Sequence, residues 1–168
     1  MTLTVADLLR YRPILDTGPL LDYLLHRFML RYHWQQIPFH QWVILDSNAA
    51  ERFGRILVRW KPIIVPTGIL LELERHRQRS GLPLDQFWMM AREEIMSITY
   101  DEPSPRILDL PQVDLYRFGP VDATLLHIAS LPEPKPATIV TADRPLYQEC
   151  LERSIRPLWI DEILSLEF

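Results

Sequence analysis

Apolar positions along the chain fall into two kinds of run. Short aliphatic or β-branched stretches bounded by Pro or Gly predict buried strands. These are Pro13-Ile14-Leu15 ahead of Asp16-Thr17-Gly18-Pro19, Pro62 to Pro66, Ala137 to Thr141 and Arg156 to Ile160. Ile95 to Tyr100 reads as a further strand. Longer stretches repeat their apolar residues every three or four positions and predict helices. They are Leu20 to Leu30, a segment capped by Asp46-Ser47-Asn48 that runs to about Trp60, Thr67 to about Arg79 with Ser80-Gly81 ending it, Leu84 to Glu94, Val121 to Leu131, and Pro145 to Arg153. Between Asp101 and Pro136, the residues Pro103, Pro105, Pro111, Pro120, Pro132 and Pro134 confine regular structure to the gaps between them. Strands alternating with helices predict an α/β fold: a three-layer α/β/α sandwich on a mostly parallel sheet with right-handed crossovers.

At 168 residues the chain suits one domain, and 48% hydrophobic with 24% charged residues excludes a disordered or low-complexity chain. No run approaches the ~20 apolar residues of a membrane helix. Met1 to Arg12 lacks a signal-peptide pattern, so the expectation is a cytoplasmic protein without a membrane partner. Cys150, the single cysteine, reads as a buried small hydrophobe. The net charge of -4 weighs against coating nucleic acid by bulk electrostatics, but a metal-dependent nuclease concentrates carboxylates at its centre. Its basic side is almost wholly arginine, which matches phosphate oxygens in pairs.

In an open parallel sheet, ligands sit outside the carboxyl ends of the strands. Asp16 ends the first strand and Asp143 follows the strand at Ala137 to Thr141. Asp122 opens a helix after Gly119-Pro120, and Glu72 lies on the helix after the second strand. Each has an ordinary structural role open to it: a helix cap for Asp16 and Asp143, a helix-dipole contact for Asp122, a pair with Arg75 or His76 for Glu72. Asp122, however, falls in line with Leu125, Leu126 and Ala129 on the apolar stripe, where a carboxylate is costly without compensation. Four acids near one pocket repel, and a divalent cation resolves the repulsion. All-oxygen ligation suits Mg²⁺ or Mn²⁺ rather than zinc, and such a site suits phosphodiester cleavage. His26, His33, His40, His76 and His127 form no metal motif and read as satisfied structural residues.

Four blocks carry a family resemblance. Ile14-Leu15-Asp16-Thr17-Gly18-Pro19-Leu20-Leu21 resembles the opening motif of the PIN domain family, and Val65-Pro66-Thr67-Gly68-Ile69-Leu70-Leu71-Glu72-Leu73 its second acidic block. Val121 to Ala129 resembles the third, and Ile139 to Leu146 the fourth, a Thr-x-Asp turn. The blocks keep the family's order from about Pro13 to Ile160. The resemblance implies a PIN-like ribonuclease, relative of VapC-type toxins, that cuts RNA at a Mg²⁺ or Mn²⁺ site. Asp16, Asp122 and Asp143 would hold the metal directly or through water. Glu72 would position water on it or complete the site, and Thr17 and Thr141 would orient the carboxylates by their hydroxyls. Periodicity leaves Glu74 as an alternative to Glu72, and the alignment of the block favours Glu72. The resemblance further implies a homodimer, with an antitoxin or other protein as partner. The alternative is a PIN-like module that binds RNA or protein without cutting.

The Trp-rich stretch at about 31–61 is longer than in compact toxin members, and is either a partner surface or an extension of the core. The stretch holds Trp34, Phe39, Trp42, Phe53 and Trp60, and its individual tryptophans read first as core. Arg75, Arg77 and Arg79 with Arg52, Arg55, Arg59 and Lys61 make the densest basic region. Arg144, Arg75 and Arg79 are the candidate substrate-backbone contacts.

Overall fold

The computed structural model describes residues 3–98, 100–101 and 105–166. A short helix α1 (Val5–Leu8) leads into β1 (Arg12–Leu15), α2 (Thr17–Tyr32), α3 (Ser47–Trp60), β2 (Ile63–Ile64), α4 (Thr67–Ser80), α5 (Leu84–Ser97) and β3 (Tyr100–Asp101). A 3₁₀ turn at Ile107–Asp109 precedes α6 (Gln112–Ser130), β4 (Ala137–Thr141), α7 (Arg144–Glu152), β5 (Pro157–Trp159) and α8 (Ile160–Leu164). The strands form one parallel sheet in the order β3-β2-β1-β4-β5, with helices on both faces. This is an α/β/α sandwich. On one side α2 packs against α3, α4 and α5, while α6 and α7 pack on β4.

Local chemistry explains most boundaries. Asp46 caps α3 by accepting the Ala49 N–H at 2.8 Å. Gly81 ends α4 in the left-handed conformation at φ 67°, which a residue without Cβ adopts freely. All five residues of β4 are buried, as a central parallel strand requires. The core is one cluster that runs from Ile14 and Leu15 of β1 through Leu24 and Phe28 of α2, Phe53 and Trp60 of α3 and Phe87 of α5 to Ile139 and Val140 of β4.

Three expectations need correction. Helix α5 continues to Ser97, so the strand read at Ile95 to Tyr100 shrinks to Tyr100–Asp101, with Thr99 outside the described residues. Ile95 and Ile98 are buried because they sit on the inner stripe of the last helical turn and its cap, not because they alternate along a strand. The helix read at Val121 to Leu131 has a preceding half, and the two halves meet at Gly119 with φ 78° and ψ 172°. That backbone region is essentially restricted to glycine. Pro111 and Pro120 thus bracket a second helical segment rather than a loop. The aromatic stretch also divides: Phe53 and Trp60 are fully buried, Trp34 and Trp42 pack partly buried on the core, and Phe39 is 87% exposed.

Candidate functional site

With β1 in the middle of the sheet, the chain builds outward to β2 and β3 on one side and to β4 and β5 on the other. Strand order therefore reverses between β1 and β4, and the crevice at their carboxyl ends is the place where α/β sheets bind ligands. Asp16 follows β1 there, and Thr141 closes β4 beside it. The Thr141 hydroxyl donates to Asp16 Oδ2 at 2.6 Å and accepts the Asp143 N–H at 2.9 Å. Asp16 Oδ1 accepts the Thr17 N–H at 2.7 Å. One hydroxyl thus ties the acid of the first strand to the acid of the fourth.

Glu72 arrives from α4 and receives the Thr17 hydroxyl on Oε2. Asp122 arrives from the second half of α6, two residues after Pro120. These two helices approach because α4 carries glycine at position 68, whose Cβ position lies 3.4 Å from Val121 Cγ2. Between them lies a cleft of about 540 Å³ lined by Gly68, Glu72, Arg75, Gly119 and Asp122.

The electrostatics couple all four acids. Burial raises Asp16 to about 6 against its hydrogen bonds from Thr141 and Thr17, and the charges of Asp143 and Glu72 add to the rise. Burial also raises Asp122, to about 7, with Asp16, Asp143 and Glu72 each pushing the same way. The charges that act on Asp122 are thus all negative. The side chains do not form a ready cage: among the described residues, no three His, Cys, Asp or Glu groups are placed to hold a metal ion. Asp16, Glu72 and Asp143 instead turn oxygens toward protein donors. Asp143 Oδ1 caps α7 through the Leu146 N–H at 2.9 Å. The cap roles of Asp16 and Asp143 and their nearness to the crevice are therefore both present. As donors the four acids fit a hard divalent ion in kind, since they offer only carboxylate oxygen and carry mutual repulsion that such an ion would relieve.

Glu72 and Glu74, indistinguishable by periodicity, separate in space. Glu74 accepts two bonds from Arg77 at 2.8 Å, one from Trp88 Nε1 at 2.6 Å and one from Gln78 at 2.9 Å, and the Arg77 and Trp88 bonds hold its carboxyl down at about 2. It is a structural clamp between α4 and α5. Arg77, part of the basic region on α4, is engaged with it. Arg75 lines the acidic cleft, Arg79 lines a neighbouring one with Thr17, and Arg144 lies exposed beside Asp143. Arg55 of α3 is paired with Glu51 at 2.7 Å.

A polar network centred on Asp22 escaped the sequence reading. Asp22, 1% exposed within α2, accepts His40 Nε2 at 2.5 Å and the N–H groups of Val43 and Ile44 at 2.5 and 2.7 Å. His26, one turn on, reaches the Ile44 carbonyl at 2.8 Å through Nε2, but its buried Nδ1 has no partner, so this histidine is only half satisfied. Trp42 packs against both imidazoles at 4.4 and 4.6 Å. Together they fasten the 33–46 segment across α2. The available signal was a carboxylate and a histidine at i and i+4 on an otherwise apolar helix. Cys150 is fully buried, and burial pushes its thiol up to about 12.

No protein-family model, no curated protein and no solved structure matches the chain. No helix among the described residues is long and apolar enough to cross a membrane.

Proposed function

We propose that the protein is a metal-dependent endoribonuclease of PIN type, hydrolysing RNA phosphodiester bonds at the crevice between β1 and β4. The observation that carries this reading is the mutual repulsion of four carboxylates from four separate elements, felt at Asp122 from Asp16, Asp143 and Glu72 together. The order and spacing of the four sequence blocks support it. Asp16, Asp122 and Asp143 would hold Mg²⁺ or Mn²⁺, with Glu72 completing the set. When bound, the ion supplies charge neutralisation at the phosphate and lowers the pKa of water. Thr141 orients Asp16 by donating to it and opposes the rise that burial imposes on its carboxyl, and Thr17 orients Glu72 by its hydroxyl. Arg75, which lines the cleft beside Glu72 and Asp122, would meet a phosphate there.

A second reading, an RNA- or protein-binding module without cleavage, is favoured by one feature: Asp16, Glu72 and Asp143 already spend oxygens on protein donors. Incubation of purified protein with single-stranded RNA separates the two. Cleavage that appears with Mn²⁺, stops with chelator and is lost in the Asp16→Asn/Asp143→Asn double variant supports the nuclease. Cleavage undiminished in the double variant, or none at saturating Mn²⁺ in the unaltered protein, overturns it.

A further inference from the structure

Thr17, bonded through its hydroxyl to Glu72 of the acidic cleft, forms a wall of a second cleft, of about 410 Å³, bounded by the start of α2, the far end of α4 and the 33–46 segment. Gly18, Phe39, His40, His76 and Arg79 are among its other walls, together with Asp22, whose carboxylate is already bonded to His40 and to the Val43 and Ile44 N–H groups. Its chemistry differs from that of the acidic cleft, with an arginine and two imidazoles in place of uncompensated carboxylates. Arg79 has no carboxylate partner among the described residues. His76 is held below its ordinary value by burial first and then by the charge of Arg79, so at neutral pH it offers hydrogen bonding without charge. The floor is open at Gly18, where an added Cβ would meet nothing within 4 Å.

Phe39 is the unusual wall. Its ring is 87% exposed and its backbone sits at φ 57°, a left-handed conformation that a bulky residue rarely adopts. The segment is not loose around it. Ile37 on one side is buried in the core, and His40 on the other is bonded to buried Asp22 at 2.5 Å. Two anchors therefore hold an apolar ring out in water, at the rim of a cleft that contains a cation.

Building on the nuclease reading, we infer that this second cleft seats a nucleotide of single-stranded RNA next to the bond being cut. Phe39 is the platform for its base, and Arg79 receives its phosphate. An unpaired base stacks on an exposed aromatic ring whatever its identity, and a lone arginine supplies the sequence-independent backbone contact. Thr17, whose hydroxyl donates to Glu72 of the acidic cleft and whose N–H donates to Asp16, makes the seat continuous with those two acids.

Binding of a fluorescein-labelled oligouridylate of about ten nucleotides, followed by anisotropy in EDTA, tests this without any dependence on cleavage. Phe39→Ala should weaken binding at least five-fold and Phe39→Trp should restore it. Arg79→Gln should lower the slope of log affinity against log salt by about 0.7. Leu108→Ala, which truncates an equally exposed residue elsewhere, serves as control and should leave affinity unchanged. Annealing the probe to oligoadenylate should weaken binding, because stacking needs an unpaired base. An unaltered protein that does not bind the probe, Phe39→Ala and Arg79→Gln variants that match it, or equal binding of the duplex each overturns the inference. Phe39-dependent binding without cleavage in Mn²⁺ removes the nuclease reading and keeps this seat. Cleavage with affinity indifferent to Phe39 and Arg79 does the reverse.

Discussion

Thr141 donates its hydroxyl to Asp16 across the β1–β4 crevice at 2.6 Å, although the two residues lie 125 positions apart in the chain. The same oxygen receives the Asp143 N–H. Thr141→Val keeps the shape of the side chain and removes both bonds. The expected loss is about 1–3 kcal/mol of folding stability by urea denaturation, since a buried carboxylate oxygen loses its donor. Thr141→Ser should recover most of it. Equal stability of the valine variant would show that the bond contributes nothing.

Asp16 and Asp122 lie at about 6 and about 7 in the folded protein against 3.8 for an ordinary aspartate. Between about pH 4 and pH 7 the folded state thus holds more protons at these sites than the unfolded state does. Their contribution is fully present below the unfolded value and is lost as pH rises through the folded ones. Asp122→Asn, studied in chelator, should flatten the decline in this window and leave the protein more stable at pH 7, by on the order of 1–3 kcal/mol. Melting curves of the two proteins from pH 4 to pH 8 check the sign. Curves that run parallel would contradict it.

Gly119 aims Asp122. Its φ of 78° and ψ of 172° break α6 so that Pro120 can restart the helix with Asp122 in its first turn. Nothing lies within 4 Å of a Cβ added there, so Gly119→Ala meets backbone strain rather than a clash. A loss of about 1–3 kcal/mol in thermal or urea unfolding is expected. Stability equal to the unaltered protein would mean that the break is not imposed at this residue.

Gly54 lets α3 close on α2. A Cβ at this position would lie 2.8 Å from Tyr23 Cε2, and the ring cannot swing aside freely because its hydroxyl is bonded to Glu94 at 2.7 Å. Gly54→Ala should therefore lower stability by about 1–3 kcal/mol despite the better helix propensity of alanine. A stabilised variant would show that the Tyr23–Glu94 bond yields easily.

Elements whose ends carry their own chemistry could be read directly from the sequence. Asp46 at the start of α3, Gly81 after α4 and the unbroken apolar run of β4 are examples. What failed were features that depend on tertiary placement. Glu72 and Glu74 sit on one helix two residues apart, and only the position of α5, which brings Trp88 to Glu74, tells them apart. Helix α6 begins at Gln112 because Asp114, 1% exposed, meets Arg153 of the α7 cap in a bidentate pair at 2.6 and 2.8 Å. That partner lies 39 residues further on and leaves no local mark. Phe39 stands in solvent because its neighbours Ile37 and His40 are anchored, which no local pattern marks. The four acids, and the cap roles of Asp16 and Asp143, could be named from their places after predicted strands and at helix starts, whereas the reach of the Thr17 hydroxyl to Glu72, 55 residues on, could not.

The most direct measurement is the melting temperature of the apo protein as Mn²⁺ is added, with Asp122→Asn alongside. If the carboxylates take up a divalent ion, the unaltered protein should gain stability with concentration, by about 2.7 kcal/mol at a hundred times the dissociation constant, and the variant should show little or no gain. A melting temperature that stays constant up to millimolar Mn²⁺, or one that rises equally in both proteins, would contradict a metal centre at these residues.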